Sequence, residues 1–84
     1  MTEEEFVILE ELYFVIKFTD LQLKSNLAPD NLIVILKQMI QKGWVNYFTE
    51  VEGVQNPELK SMEKELKNCY FLATKKGLFA HNSN

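Results

Sequence analysis

The stretch that decides the fold is Pro29 to Phe48, which reads PDNLIVILKQMIQKGWVNYF. Pro29 suits the first turn of a helix, where its missing N–H costs nothing. Gly43 suits the position just past a helix C-terminus, where φ is positive, and Lys42 would lie at the negative end of the helix dipole. Most residues from Trp44 to Phe48 are aromatic or β-branched, as strands prefer. The stretch therefore predicts one helix, stopped by a glycine and followed at once by a strand.

The apolar run Leu32–Leu36 also has the composition of a strand. We interpret it as helical because the apolar residues continue at i, i+3, i+4 and i+7 spacing through Leu32, Ile35, Leu36, Met39 and Ile40.

Two helices are predicted upstream. The first covers about Glu3 to Lys17, because Thr2 and Glu5 have capping-box spacing. A second capping box is predicted from Thr19 and Gln22, with Phe18 and Leu23 as its hydrophobic staple, and it would open a helix over about residues 20–26. Only a short turn then separates this helix from the next. Two helices joined in this way are typical of a helix-turn-helix.

Downstream, Cys69 to Ala73 are predicted to form a returning strand, and Thr74 to Gly77 a cap and a final helical turn. Residues 57–67 have apolar residues at helical spacing and many charges, so a short helix and a charged mobile loop both remain open. The fold class predicted is α+β, a winged helix-turn-helix with a three-helix core and a β-hairpin wing. We assign residues 1–80 to this domain and residues 81–84 to a polar tail that frays.

Two short segments resemble winged helix-turn-helix transcriptional regulators of the MarR and PadR type. Met39–Val45 is similar to the end of their recognition helix and the start of the first wing strand. Tyr70–Gly77 is similar to the tyrosine-x-leucine-threonine-x-x-glycine pattern that closes their wing, with Ala73 inserted before the threonine. The resemblance implies a DNA-binding domain that regulates transcription. The chain stops seven residues after Gly77, without the long C-terminal dimerisation helix of many such regulators.

Double-stranded DNA is the partner that the resemblance implies. The candidate DNA-binding residues on the third helix are Asn31, Lys37, Gln38 and Gln41. The side-chain amides of Asn31, Gln38 and Gln41 suit adenine. No arginine occurs there, so the bidentate guanine contact of arginine is missing. Lysines on and after the wing are candidate phosphate contacts: Lys60, Lys64 and Lys67, with Lys75 and Lys76 beyond them. The interleaved glutamates also fit an ordinary solvated surface.

A surplus of apolar residues predicts self-association or a protein partner. On the first helix, Phe6, Leu9, Leu12, Tyr13 and Ile16 make a core face, and further apolar residues lie outside it. A helix that is apolar nearly all round is buried on more than one side. The predicted interface residues are Ile8, Phe14, Val15, Ile33 and Val34. We therefore expect a homodimer, and we keep open a protein-interaction module that does not bind DNA.

Composition excludes several classes of protein. The net charge is −3, with six carboxylates against one lysine in residues 1–20 and eight lysines against six carboxylates in the rest. The acidic start argues against a signal peptide, no apolar run is long enough for a membrane span, and the single Cys69 suits a reducing cytoplasm. The one histidine, His81, and Cys69 make no catalytic or metal pattern, so we expect a non-enzymatic protein without cofactors.

Overall fold

The computed structural model describes residues 1–49 and 66–83. These residues form an α+β fold, as predicted, with four helices and a three-stranded antiparallel sheet. In chain order the elements are α1 (Glu3–Glu11), β1 (Ile16–Lys17), α2 (Phe18–Ser25), α3 (Pro29–Gln41), β2 (Val45–Thr49), β3 (Cys69–Ala73) and α4 (Lys75–Asn82). None of the helices in the two described ranges has the length and apolar character that crossing a membrane requires.

The predicted third helix and its two ends are confirmed. Helix α3 begins at Pro29 and ends at Gln41, and Gly43 follows with φ +80°. Its apolar run is helical, with one buried face made of Leu32, Ile33, Ile35, Leu36 and Met39. The strand predicted after the glycine is β2, and it starts one residue later than expected, at Val45.

The sheet has the order β1-β3-β2, so β3 is its central strand. The returning strand was predicted with the bounds that it has. Its side chains alternate as a half-buried strand requires, with Cys69, Phe71 and Ala73 buried and the two residues between them half-buried. Val45 pairs with Ala73 across the hairpin, and Ile16 pairs with Phe71 on the other edge. This second pairing adds a strand that the sequence did not predict.

Helix α1 is shorter than predicted. Its capping box is confirmed, because the Thr2 hydroxyl accepts from the Glu5 N–H at 3.1 Å and the Glu5 carboxylate accepts from the Thr2 N–H at 2.9 Å. The helix ends at Glu11 and does not continue to Lys17. The reason is the sheet: the Leu12 carbonyl accepts from the Ala73 N–H at 2.9 Å, and Ile16 then enters β1.

Helix α2 also begins differently. It starts at Phe18 with Lys17 as the N-cap, without a side-chain cap, so the predicted capping box on Thr19 is wrong. The predicted staple is wrong too, because Phe18 is buried against Phe71 while Leu23 is 78% exposed. Helix α2 follows strand β1 without a loop. Its first residue is set by burial of the Phe18 ring, and no side-chain cap is present. Asn26 ends α2 in the left-handed region, with φ 60°.

The last helix is longer than predicted. Thr74 caps it as expected, since its hydroxyl accepts from the Gly77 N–H at 2.9 Å. The helix then continues to Asn82, so residues 81 and 82 belong to the packed domain and not to a polar tail. His81 stacks on Phe6 at a ring distance of 4.2 Å, and its Nδ1 lies 2.8 Å from the Tyr13 hydroxyl. These two contacts of His81 hold the end of α4 against the N-terminal part of the chain.

Candidate functional site

The outer face of α3 carries a stripe of exposed side chains. Asn31, Val34, Gln38 and Gln41 follow one another at spacings of three, four and three residues, so they share one side of the helix. All four are exposed, and Val34 at the centre is 54% exposed. The stripe therefore presents three carboxamides around one apolar side chain. We call these four residues the α3 stripe.

Ile33 is not part of this surface. It was predicted to face outward beside Val34, but it is only 6% exposed and lies in the core. Neighbouring residues of a helix point about 100° apart, and Ile33 shares its side of α3 with the buried Leu36. Val34 alone remains as an exposed apolar residue of α3.

Ile8 was also predicted to lie at an interface, and it is fully buried. Helix α1 is packed against α2, α3 and α4 within one copy of the chain. The surplus apolar surface of α1 is therefore covered in the monomer, and Ile8 needs no second protein. Phe14 and Val15 were placed on α1 by the sequence; they lie after its end and are 82% and 51% exposed.

The C-terminal end of α3 is tied to α1 by an ion pair. The Lys42 ammonium donates to Glu5 Oε2 at 2.6 Å and lies 4.5 Å from the centre of the Trp44 ring. Burial raises the pKa of the Glu5 carboxyl, but the hydrogen bonds from Lys42 and Thr2 and the nearby positive charges lower it by more. The pKa of Glu5 is therefore below its ordinary value. Lys42 is 44% exposed but already has a buried carboxylate as its partner, so it is a poor candidate for a phosphate contact.

This ion pair predicts an acid-sensitive fold. A carboxyl whose pKa is lowered on folding contributes stability that is complete above its unfolded pKa and is lost as the pH falls through the folded value. We expect Glu5→Gln to reduce the fall in the free energy of unfolding between pH 7 and about pH 3, measured by urea denaturation at each pH. Glu11→Gln is the control, because its pair with Lys24 is long, at 3.9 Å, and partly exposed. An unchanged pH profile for Glu5→Gln would contradict the prediction.

The remaining predicted cations are spread around the domain. Lys37 lies on α3 and is half-buried, and Lys67 is exposed beside β3. Lys67 and Lys17 line an open cleft of about 220 Å³ at the start of α2. Lys60 and Lys64 lie outside the described residues, as does almost all of the stretch 57–67 whose helix was left open.

Two exposed lysines stand at the start of α4, close to the end of α3. A Cβ built on Gly43 would lie 3.8 Å from the Nζ atom of Lys76, so this ammonium is beside the turn that follows α3. Lys75 precedes it and is also exposed. The structure thus brings two cations near one end of the α3 stripe, although they are some 35 residues away in the chain.

Sequence reasoning missed two exposed apolar residues outside α3. Phe79 on α4 is 74% exposed and Leu23 on α2 is 78% exposed. An open groove of about 460 Å³ lies between the end of α1, the loop with Phe14 and Val15, and α2. The sequence analysis ended the final helical turn at Gly77, so it placed Phe79 on no element, whereas the helix continues to Asn82.

Within residues 1–49 and 66–83, no three His, Cys, Asp or Glu side chains come close enough together to hold a metal ion. Comparison of the chain with protein-family models, with curated proteins and with solved structures gave no match.

Proposed function

We propose that this chain is a winged helix-turn-helix domain that binds duplex DNA through α3 and acts as a homodimer in transcription regulation. The arrangement of α2 and α3 supports the fold, because only residues 26–28 separate them and the hairpin of β2 and β3 follows. The failed capping box at Thr19 removes one argument for this fold. The tight turn and the order of the elements carry it instead.

The single observation that carries DNA binding is the α3 stripe. Asn and Gln side chains make bidentate hydrogen bonds to the N6 and N7 atoms of adenine, and apolar side chains contact the methyl group of thymine. Asn31, Gln38 and Gln41 with Val34 between them therefore have the chemistry that reads A·T pairs in a major groove. We expect A·T-rich duplex to be preferred over G·C-rich duplex.

Affinity for the phosphate backbone must come from lysines outside the stripe. Lys67, Lys75 and Lys76 are exposed cations in the described part of the chain, and Lys60 and Lys64 belong to the same basic half of the sequence. Because few cations are available, binding should be weak and should fall steeply with salt through counterion release.

Fluorescence anisotropy with labelled A·T-rich and G·C-rich duplexes at several salt concentrations tests the proposal. Replacing Lys60, Lys64 and Lys67 with alanine should lower the slope of log affinity against log salt by up to about 0.9 per lost contact. Replacing Gln38 and Gln41 should reduce the A·T preference and leave the slope nearly unchanged. The matched control is Lys24→Ala, since Lys24 on α2 is paired with Glu11 on α1. Absence of duplex binding by the wild type at low salt would contradict DNA binding.

The engagement of Lys42 by Glu5 favours a second candidate, a winged-helix protein-interaction module that does not bind DNA. It removes a cation from the C-terminal end of α3, while the centre of the α3 stripe is the apolar Val34. The substitution Val34→Lys separates the two functions. A DNA-binding surface gains a cation and binds duplex more tightly, whereas an apolar protein contact is lost.

A further inference from the structure

Phe14 is an exposed aromatic side chain on a loop whose two ends are hydrogen-bonded to the sheet. It is 82% exposed, and Val15 beside it is 51% exposed. The loop begins where Leu12 accepts a hydrogen bond from Ala73, and it ends where Ile16 pairs with the central strand. Between these points the Tyr13 hydroxyl donates to Asn82 Oδ1 at 3.2 Å. Because the loop is already ordered, docking a partner on Phe14 costs little conformational entropy.

The groove next to this loop is acidic. Glu10, Glu11 and Asp20 line it together with the side chains of residues 13–16, and Lys24 is the one cation of the lining. Lys24 is already paired with Glu11 at 3.9 Å. The groove therefore offers apolar surface flanked by uncompensated carboxylates. Such a surface fits an occupant that brings an apolar anchor with cations beside it.

Helix α4 of the same chain has those features. Lys75, Phe79 and Asn82 follow at spacings of four and three residues, so they share one side of the helix, and all three are exposed. Lys76 adds a second exposed cation, and α4 contains no acidic residue. Each copy of the protein thus carries both an acidic apolar groove and a basic helix with an exposed phenylalanine.

From these two surfaces we infer that the groove beside Phe14 is the docking site for α4 of a second copy, with Phe79 against Phe14 and Lys75 facing Glu10. The inference deepens the homodimer part of the proposed function and rests on it. Since each protomer supplies both surfaces, a two-fold axis makes the contact twice, which closes the dimer and prevents growth into filaments. The contact uses none of the residues of the α3 stripe, so the stripe stays available to DNA. Lys75 is engaged in the dimer, and the phosphate contacts then fall to the other exposed lysines.

Sedimentation velocity of the full chain at low salt, without DNA, tests the contact. The wild type should sediment as a dimer at about 100 μM. Phe14→Ala and Phe79→Ala should each weaken dimerisation by about tenfold or more, as expected for aromatic anchors at the centre of an interface. Both residues are exposed in one protomer, so neither change should unfold it. Val34→Ala is the control and should leave the dimer unchanged, because Val34 is an exposed apolar residue outside the contact.

A charge exchange tests the pairing of the two surfaces. Glu10→Lys and Lys75→Glu each place like charges opposite one another at both contacts of the dimer, so each variant alone should be mainly monomeric. An equimolar mixture of the two should dimerise like the wild type, because both contacts of the mixed dimer then join opposite charges. Both changes also suit the dipoles of their helices, since Glu10 is near a C-terminus and Lys75 near an N-terminus.

The outcomes separate this inference from the proposed function. A wild type that remains monomeric at 100 μM overturns both the homodimer and its docking surface. A dimer that tolerates both phenylalanine substitutions overturns the docking surface and leaves the homodimer in place. Failure of the mixed variants to associate overturns the pairing of α4 with the groove. Duplex binding is measured separately, so its failure does not affect these results.

Discussion

Gly77→Ala should lower the free energy of unfolding by about 3 kcal/mol, although alanine is ordinarily the better helix residue by about 1 kcal/mol. A Cβ at Gly77 would lie 2.2 Å from the carbonyl oxygen of Trp44. That carbonyl cannot easily move, because it accepts from the Thr74 N–H at 2.9 Å while the Trp44 N–H donates to Met39. The added methyl group therefore forces α4 away from the end of α3. Urea denaturation of the variant and the wild type measures the loss.

Two other substitutions make this result specific. Lys75→Ala lies in the same helix at an exposed position and should change stability by less than about 0.5 kcal/mol. Gly43→Ala should cost about 1–2 kcal/mol for a different reason, since its φ of +80° is unfavourable for alanine while its Cβ would have ordinary contacts. If Gly77→Ala were as stable as the wild type, the packing of α4 on Trp44 would be wrong.

The parts of the fold that the sequence predicted well depend on interactions between near neighbours. Pro29 and Gly43 set the ends of α3 through their own backbone preferences, and Thr74 caps α4 through a residue three positions away. Strand β3 could be predicted with its bounds because its aromatic and apolar residues stand between a charged stretch and a cap. Short-range physics of this kind can be recognised without knowing what else lies nearby.

The errors occurred where a distant partner decides the local structure. Residues 12–17 have enough apolar character for a helix, yet Ile16 pairs with Phe71, which is 55 residues later in the chain. The same pairing places Phe18 in the core, so α2 begins at Phe18 and the cap predicted at Thr19 does not form. The hydrophobic pattern of residues 3–26 contains no information about a pairing with Phe71. The first strand was therefore missed, and α1 was predicted to be longer than it is.

The candidate site divides in the same way. The exposed amides of α3 follow from helical spacing alone, and they were predicted. Whether an apolar residue lies at an interface or in the core depends on how many elements pack against its helix. The sequence does not give that number, so the interface prediction was wrong for Ile8 and Ile33. The engagement of Lys42 depends on Glu5, which is 37 residues away. Phe79 was overlooked because the order of the C-terminal helix depends on Phe6 and Tyr13 at the other end of the chain.

Two neighbouring residues of α3 should lose very different amounts of stability on the same substitution. Ile33→Asp should unfold the domain, with a loss of about 4 kcal/mol or more, because it would bury an unpaired carboxyl in a core position that is 6% exposed. Val34→Asp should cost less than about 1 kcal/mol, because the carboxylate stays in water at a position that is 54% exposed. Circular dichroism during urea denaturation measures both, and a folded Ile33→Asp variant would show that Ile33 is not in the core.

The folded Val34→Asp variant then serves as a probe of the α3 stripe. A carboxylate at the centre of a surface that faces phosphates adds repulsion without disturbing the helix, so duplex binding should fall by at least about tenfold at low salt. The dimer contact inferred between α4 and the Phe14 groove lies elsewhere, so sedimentation of this variant should match that of the wild type. Loss of duplex binding together with an intact dimer would assign the two surfaces to two different tasks. Duplex binding that is unchanged by Val34→Asp would instead mean that α3 does not face the DNA, because no exposed position lies closer to the middle of its outer side.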